Sequence, residues 1–209
     1  MSHNKQTGSG RGPSHPPTDP RRALCGCIFI FLLLAGVTTL TVWLVYRPQK
    51  PRYEVVGVAV FNLNNTSPPL LSVTLQFSIV TRNPNKRVSI FYDHLSAFVT
   101  YHNQMITQPV SLPPFFHEKY STVELSPILG GSGAVVPVSP DVSYGLGMDV
   151  AYGVVGLSVV LLGKLRWKAG AITTARYGLY VKCDVMLRLT KGSAGEVPFV
   201  ESPVCKVDV

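Results

Sequence analysis

The residues with chemistry to offer are four cysteines, five histidines, two overlapping sequons and a glycine-rich run that contains a serine. Cys25 and Cys27 open a long apolar stretch, and Cys183 and Cys205 lie near the C-terminus. An even pair of thiols in an oxidising compartment permits a disulfide; two inert buried thiols are the alternative. Thiols at the cytosolic edge of a membrane span are sites of reversible S-palmitoylation, so Cys25 and Cys27 are read either that way or as two small residues of the span. Asn64-Asn65-Thr66 and Asn65-Thr66-Ser67 are N-x-[ST] acceptors in a polar, proline-bounded loop. Asn64 and Asn65 are therefore candidate glycosylation sites, of which steric overlap allows one at a time.

Other chemistry lacks its pattern. His3, His15, His94, His102 and His117 fall at no metal-ligand spacing and no C-x2-C accompanies them, so no metal is expected. Gly130-Gly131-Ser132-Gly133-Ala134 has Ala134 where a nucleophile elbow needs glycine, and it lacks the Lys-Ser/Thr of a phosphate loop. It reads as a turn between strands. No carboxylate pair stands apart from solvated strand faces. The expectation is a protein that is not an enzyme and carries no cofactor.

Three segments position these residues. Residues 1–22 hold four prolines, three glycines and almost nothing apolar, and carry four basic residues against one acidic. Such a segment cannot offset its ordering entropy and is expected to be a disordered tail. Residues 23–46 contain no charge. A helix of that length spans a hydrocarbon core of about 30 Å, with Trp43 and Tyr46 at its downstream boundary. It is longer than the 7–15 apolar residues of a cleaved signal and ends in bulky WLVY, which favours an uncleaved anchor. Residues 47–209, with 15 basic and 10 acidic residues, are long enough for one domain with a core. The basic residues are scattered and follow no nucleic-acid-binding pattern, so nucleic acid is not expected as a partner. The membrane is the expected one. The short tail, the sequons and the C-terminal cysteines together put the tail in the cytosol and the domain outside.

From residue 52 the hydrophobic period is two. Leu71, Val73, Leu75, Phe77 and Ile79 share a face; so do Val155, Leu157, Val159, Leu161, Leu165 and Trp167; so do Tyr177, Leu179, Val181, Cys183, Val185, Leu187 and Leu189. Shorter strands are predicted at 55–63, 87–92, 95–102, 120–129 and 203–207. Turns are predicted at Asn83-Pro84-Asn85, Leu112-Pro113-Pro114, the glycine run and Gly192-Ser193. Seven or eight short strands describe an antiparallel β-sandwich, immunoglobulin-like or fibronectin-III-like. Ser139-Pro140-Asp141 starts a helix over 139–152 that the glycines at 145, 147 and 153 should leave short and marginal. Cys205 is in phase with Val207, so the two thiols meet inside the sandwich if the last strand lies beside 177–189.

Several stretches of the domain resemble one family. Thr81-Arg82-Asn83-Pro84-Asn85-Lys86-Arg87 followed by VSIFYD (88–93) is similar to the signature of the group 2 late-embryogenesis-abundant fold. Within it, the plant harpin-induced, non-race-specific-disease-resistance-like membrane proteins are nearest. PPFF (113–116), KLRWK (164–168), LYVKCDV (179–185) and CKVDV (205–209) match later family segments in order. The resemblance implies a seven-stranded immunoglobulin-like sandwich with one short helix, on a non-enzymatic plasma-membrane protein linked to immune and stress responses. Defence signalling or membrane–wall contact is the role it suggests first; protection of lipid or protein during dehydration is the second. Protein partners and a homo-oligomer are left open. Physically, Pro84 forces Asn83 out of the α region and the asparagines can bond their own backbone, so Asn83–Arg87 is a rigid turn. It either sets strand register or presents a binding loop.

Overall fold

The computed structural model describes residues 20–67, 70–189 and 194–209. The tail over 1–19 and the Gly192-Ser193 turn lie outside the described residues. The chain divides at Arg47–Pro48 into two units.

The first contains α1 (Pro20–Tyr46), which takes in the apolar run and the three residues before it. Its Leu24–Leu44 stretch is buried nowhere and is long and apolar enough to cross a membrane. The hydroxyls of Thr38 and Thr39 donate to the Ala35 carbonyl and that of Thr41 to the Thr38 carbonyl, so three polar groups are satisfied within the helix. The Arg47 guanidinium lies over the Trp43 ring at 5.4 Å.

The second unit is all-β apart from one helix. Its long strands are β1 (Arg52–Ser67), β2 (Leu70–Arg82) and β3 (Ser89–Tyr101). The short β4 (Gln104–Met105), β5 (Val110–Leu112), β6 (Phe115–His117) and β7 (Thr122–Leu125) precede β8 (Ile128–Pro137) and α2 (Pro140–Tyr152). Then come β9 (Val154–Ala169), β10 (Ile172–Thr173), β11 (Tyr177–Arg188), β12 (Gly195–Glu196) and β13 (Val204–Asp208). One antiparallel sheet runs β12-β1-β2-β7, with β8 also on β2; the other runs β13-β11-β9-β3-β4, with β5 and β6 on β3 and β10 on β9. The inward faces that alternation marks on β2, β9 and β11 form one core between the sheets, in the manner of an immunoglobulin-like sandwich. Tyr177 is the exception: it starts β11 and is 45% exposed.

Four local expectations change. The strands predicted at 87–92 and 95–102 are one strand, β3. Tyr92 pairs with Leu165 and His94 with Lys164, leaving Asp93 as the extra residue of a bulge. That bulge switches the buried phase from Ile90 and Tyr92 to Leu95, Ala97 and Val99, which imitates a turn in sequence. The strand predicted at 120–129 is two, β7 and β8, because Ser126-Pro127 interrupts the ladder on β2. The glycine run is not a turn between strands but an irregularity within β8. Gly130 has φ +82° and comes so close to Val73 that a Cβ would lie 1.8 Å from its carbonyl oxygen. Finally, α2 is a full 13 residues. Ser139 caps it through its hydroxyl to Val142 N, Gly153 ends it in the left-handed region, and Val142, Ser143 and Leu146 are buried. Capping and burial outweigh the glycine propensity cost.

Candidate functional site

The most constructed polar feature of the domain is the β2–β3 corner. Asn83 is fully buried. Its Nδ2 donates to the carbonyls of Val88 and Glu118, both at 2.9 Å, and its Oδ1 accepts from Asn85 N at 3.0 Å and Asn85 Nδ2 at 2.9 Å. Asn85 passes this on. Its Nδ2 donates to the Gln49 carbonyl at 2.9 Å, and its Oδ1 accepts from Gln49 N at 2.8 Å. The Asn85 carbonyl accepts from Tyr120 N at 3.0 Å. Both amides are consumed internally, so the corner braces three backbone segments. Pro84 is half-buried, and only Lys86 and Arg87 of the five turn residues are exposed.

Next to this corner the bulge at Asp93 has a purpose. Buried Asp93 accepts from Arg166 Nη2 at 2.5 Å and from Arg176 Nε at 2.7 Å. The Arg176 hydrogen bond, helped by Arg166 and opposed by burial, holds the Asp93 carboxyl below the usual range. Tyr92, one position earlier, stacks on Phe115 with centroids 4.4 Å apart. Burial pushes the Tyr92 phenol up to about 12 and raises that of Tyr53 well above its usual value, so both stay neutral at physiological pH.

Buried His117 packs on the same cluster, its Nε2 3.0 Å from the Ser121 carbonyl oxygen, which makes Nε2 the protonated nitrogen. Burial lowers its pKa from 6.5, against a smaller opposing effect of the Ser121 bond. The sign follows: the unfolded chain takes up a proton before the folded one does. The stability His117 contributes is complete above about pH 6.5 and is lost as pH falls toward its folded value. The domain's melting temperature should therefore fall below pH 6.5, before carboxylates near pH 4 contribute. His117→Gln should flatten that part of the profile; identical profiles for variant and wild type would refute the assignment.

The predicted thiols meet. Cys183 and Cys205 are opposite one another on β11 and β13, with Cα atoms 4.0 Å and sulfurs 2.02 Å apart. Cys183 is fully buried. Cys25 and Cys27 are exposed free thiols on α1, two positions apart and so pointing to opposite sides of the helix. Asn64 and Asn65 fall in the backbone of β1, not in a loop, and their side chains lie outside the described residues. Among the described residues no group of three His, Cys, Asp or Glu could hold a metal ion. His94 and His102 are exposed and apart from His117; His3 and His15 lie outside the described residues.

Reading along the chain missed Gln49, Arg176 and the meeting of the motifs. Asp93 of VSIFYD meets Arg166 of KLRWK and Tyr92 meets Phe115 of PPFF; the pairing of LYVKCDV with CKVDV is the one meeting that the phase of the cysteines offers. A carboxylate where the alternation breaks was the one available signal; Gln49 gave none.

The fold and corner define a class: a β-sandwich braced at the end where its chain begins, following an apolar helix, with no catalytic constellation among the described residues. NDR1/HIN1-like protein 12 of Arabidopsis thaliana is 34% identical over 191 residues, covering 91% of this chain and 89% of that one. NDR1/HIN1-like protein 1 of the same plant is 34% identical, covering 85% and 84%. The chain belongs to the NDR1/HIN1-like proteins, a plant family related to disease resistance and stress. No family model matches. A solved putative late embryogenesis abundant protein is 13% identical with TM-score 0.35, covering 88% of this chain and 99% of that one.

Proposed function

We propose that this is a single-pass plasma-membrane protein whose non-catalytic β-sandwich acts outside the cell in plant defence or stress signalling, or in contact between membrane and wall. Residues 1–22 form a basic cytosolic tail, 23–46 the span and 47–209 the extracytosolic domain. The observation that carries the reading is an uninterrupted, unburied apolar helix joined to a domain with a cystine inside, in a family related to disease resistance. A cystine persists in an oxidising space, which supports the outward orientation. Cys25 and Cys27 then lie at the cytosolic boundary, where acylation is available to them.

Protease added to sealed right-side-out vesicles should digest the domain and leave a small tail-plus-span fragment. Endoglycosidase should increase the gel mobility of the wild type and leave the Asn64→Gln, Asn65→Gln double variant unmoved. A fully protected, unglycosylated domain would overturn the orientation.

A further inference from the structure

One end of the domain gathers six exposed cations. Arg52 begins β1 and pairs with Arg82, which ends β2. Lys86 and Arg87 occupy the corner between β2 and β3. Lys119 precedes Tyr120, whose N–H is held by Asn85, and Lys168 of β9 is opposite Ser89 at the start of β3. All six cations are exposed, and none is paired with a carboxylate among the described residues. The carboxylates nearest these cations are exposed Glu118, exposed Glu54 and Glu124 on either side of Val80 two residues in from Arg82, and Asp208, which is bonded to Lys50; Asp93, further along β3, is occupied by Arg166 and Arg176. Asp141 and Asp149 lie on α2, which joins β8 to β9 at the opposite end.

Two exposed aromatic rings accompany the cations. Arg82 lies 5.2 Å over the Tyr120 ring and Lys168 5.9 Å over that of Phe116; the rings are 58% and 45% exposed. An unpaired cation over an exposed ring suits a lipid headgroup boundary, where the ring meets the apolar edge and the charge meets phosphate. The domain's own first residues are at this same end, since Gln49 is held by Asn85. The segment that enters the domain there comes directly from α1.

We infer that the end of the β-sandwich formed by Arg52, Arg82, Lys86, Arg87, Lys119 and Lys168 is a docking surface for anionic phospholipid of the leaflet from which the span emerges. The inference rests on the anchor reading above. Polybasic surfaces next to a span are attracted to anionic lipid by this electrostatic mechanism, which salt screens. An acidic polysaccharide would satisfy the same charges. Lipid is favoured because the face carries the exposed rings and the entry of the chain from the span.

Amine footprinting of the full chain in nanodiscs tests this. The discs contain phosphatidylcholine alone, or equal parts phosphatidylcholine and phosphatidylglycerol, and a neutral acylating reagent modifies exposed lysines. Lys86, Lys119 and Lys168 should react roughly threefold or more slowly in the anionic discs, with Lys164 and Lys206, both exposed and away from this end, unchanged. High salt, or the Arg82→Glu, Arg87→Glu double variant, should restore the rate at Lys119. Equal ratios at all five lysines would overturn the inference. So would protection produced only by polygalacturonate or inorganic phosphate added to the phosphatidylcholine discs. A chain that does not enter discs at all sinks the anchor reading and this inference with it. A chain that enters them without the local footprint sinks this inference alone.

Discussion

Asn83→Ala in the full chain should lower the melting temperature of the β domain by roughly 6–12 °C, the shift that about 3 kcal/mol produces in a domain of this size. The substitution removes four hydrogen bonds at once, and the site has no exposure to water. The carbonyls of Val88 and Glu118 and the N–H of Asn85 lose their partner, and each buried orphan costs about 1–3 kcal/mol. Glu118 is exposed, so water recovers part of its share, and the total settles near the lower sum. Asn83→Asp separates shape from bonding. It keeps the volume and the acceptor but puts a carboxylate oxygen against two carbonyls, so it should melt no higher than the alanine variant. If alanine melts within a degree or two of wild type, the corner is not a brace, and the binding-loop reading of Asn83–Arg87 regains its standing.

Reduction of the wild type should cost the domain about 3 kcal/mol, the unfolded-state entropy of opening a loop closed by cysteines 22 positions apart. That is a large part of a typical stability of roughly 5–15 kcal/mol. Cys205→Ser should melt lower than oxidised wild type and respond little to reductant, since its remaining sulfur has no partner. Peptide mapping without reductant should recover Cys183 and Cys205 in one linked product. Ready alkylation of both after unfolding without reductant would show that the bond is absent in the protein as made. An extracytosolic domain should retain the bond through purification; a cytosolic one would lose it to the reducing pool.

The faces of the long strands were legible because alternation is local: β2 and β9 needed only a count by twos. What escaped was set by pairing partners. Asp93 looks like the end of a strand because a bulge and a turn both break the period, and only Lys164 and Leu165 opposite distinguish them. Gly130 looks like a turn because glycine marks both a turn and a close backbone approach, and Val73 lies 57 positions upstream. The glycines of α2 suggested a weak helix, while Ser139 and the burial of Leu146 govern its length. The signature segments were visible as an ordered series. That they touch pairwise, with Asp93 on Arg166 and Phe115 on Tyr92, is a property of strand pairing within one sheet and leaves no trace in spacing. The Asn83–Asn85 turn was legible as a turn, but its hold on Gln49 was not, because Gln49 is bonded through its backbone and any residue but proline could stand there.

That hold decides how the domain bears mechanical load. The two hydrogen bonds between Gln49 and Asn85 make an extra clamp upstream of β1, so a pull arriving from the N-terminal side does not begin by peeling Arg52 away from Arg82. It arrives first at the turn that passes from the β2 sheet to the β3 sheet, and through Asn83 it is divided among Val88, Glu118 and both layers. A tether that would otherwise unzip one strand from its end is thereby set to load two sheets together.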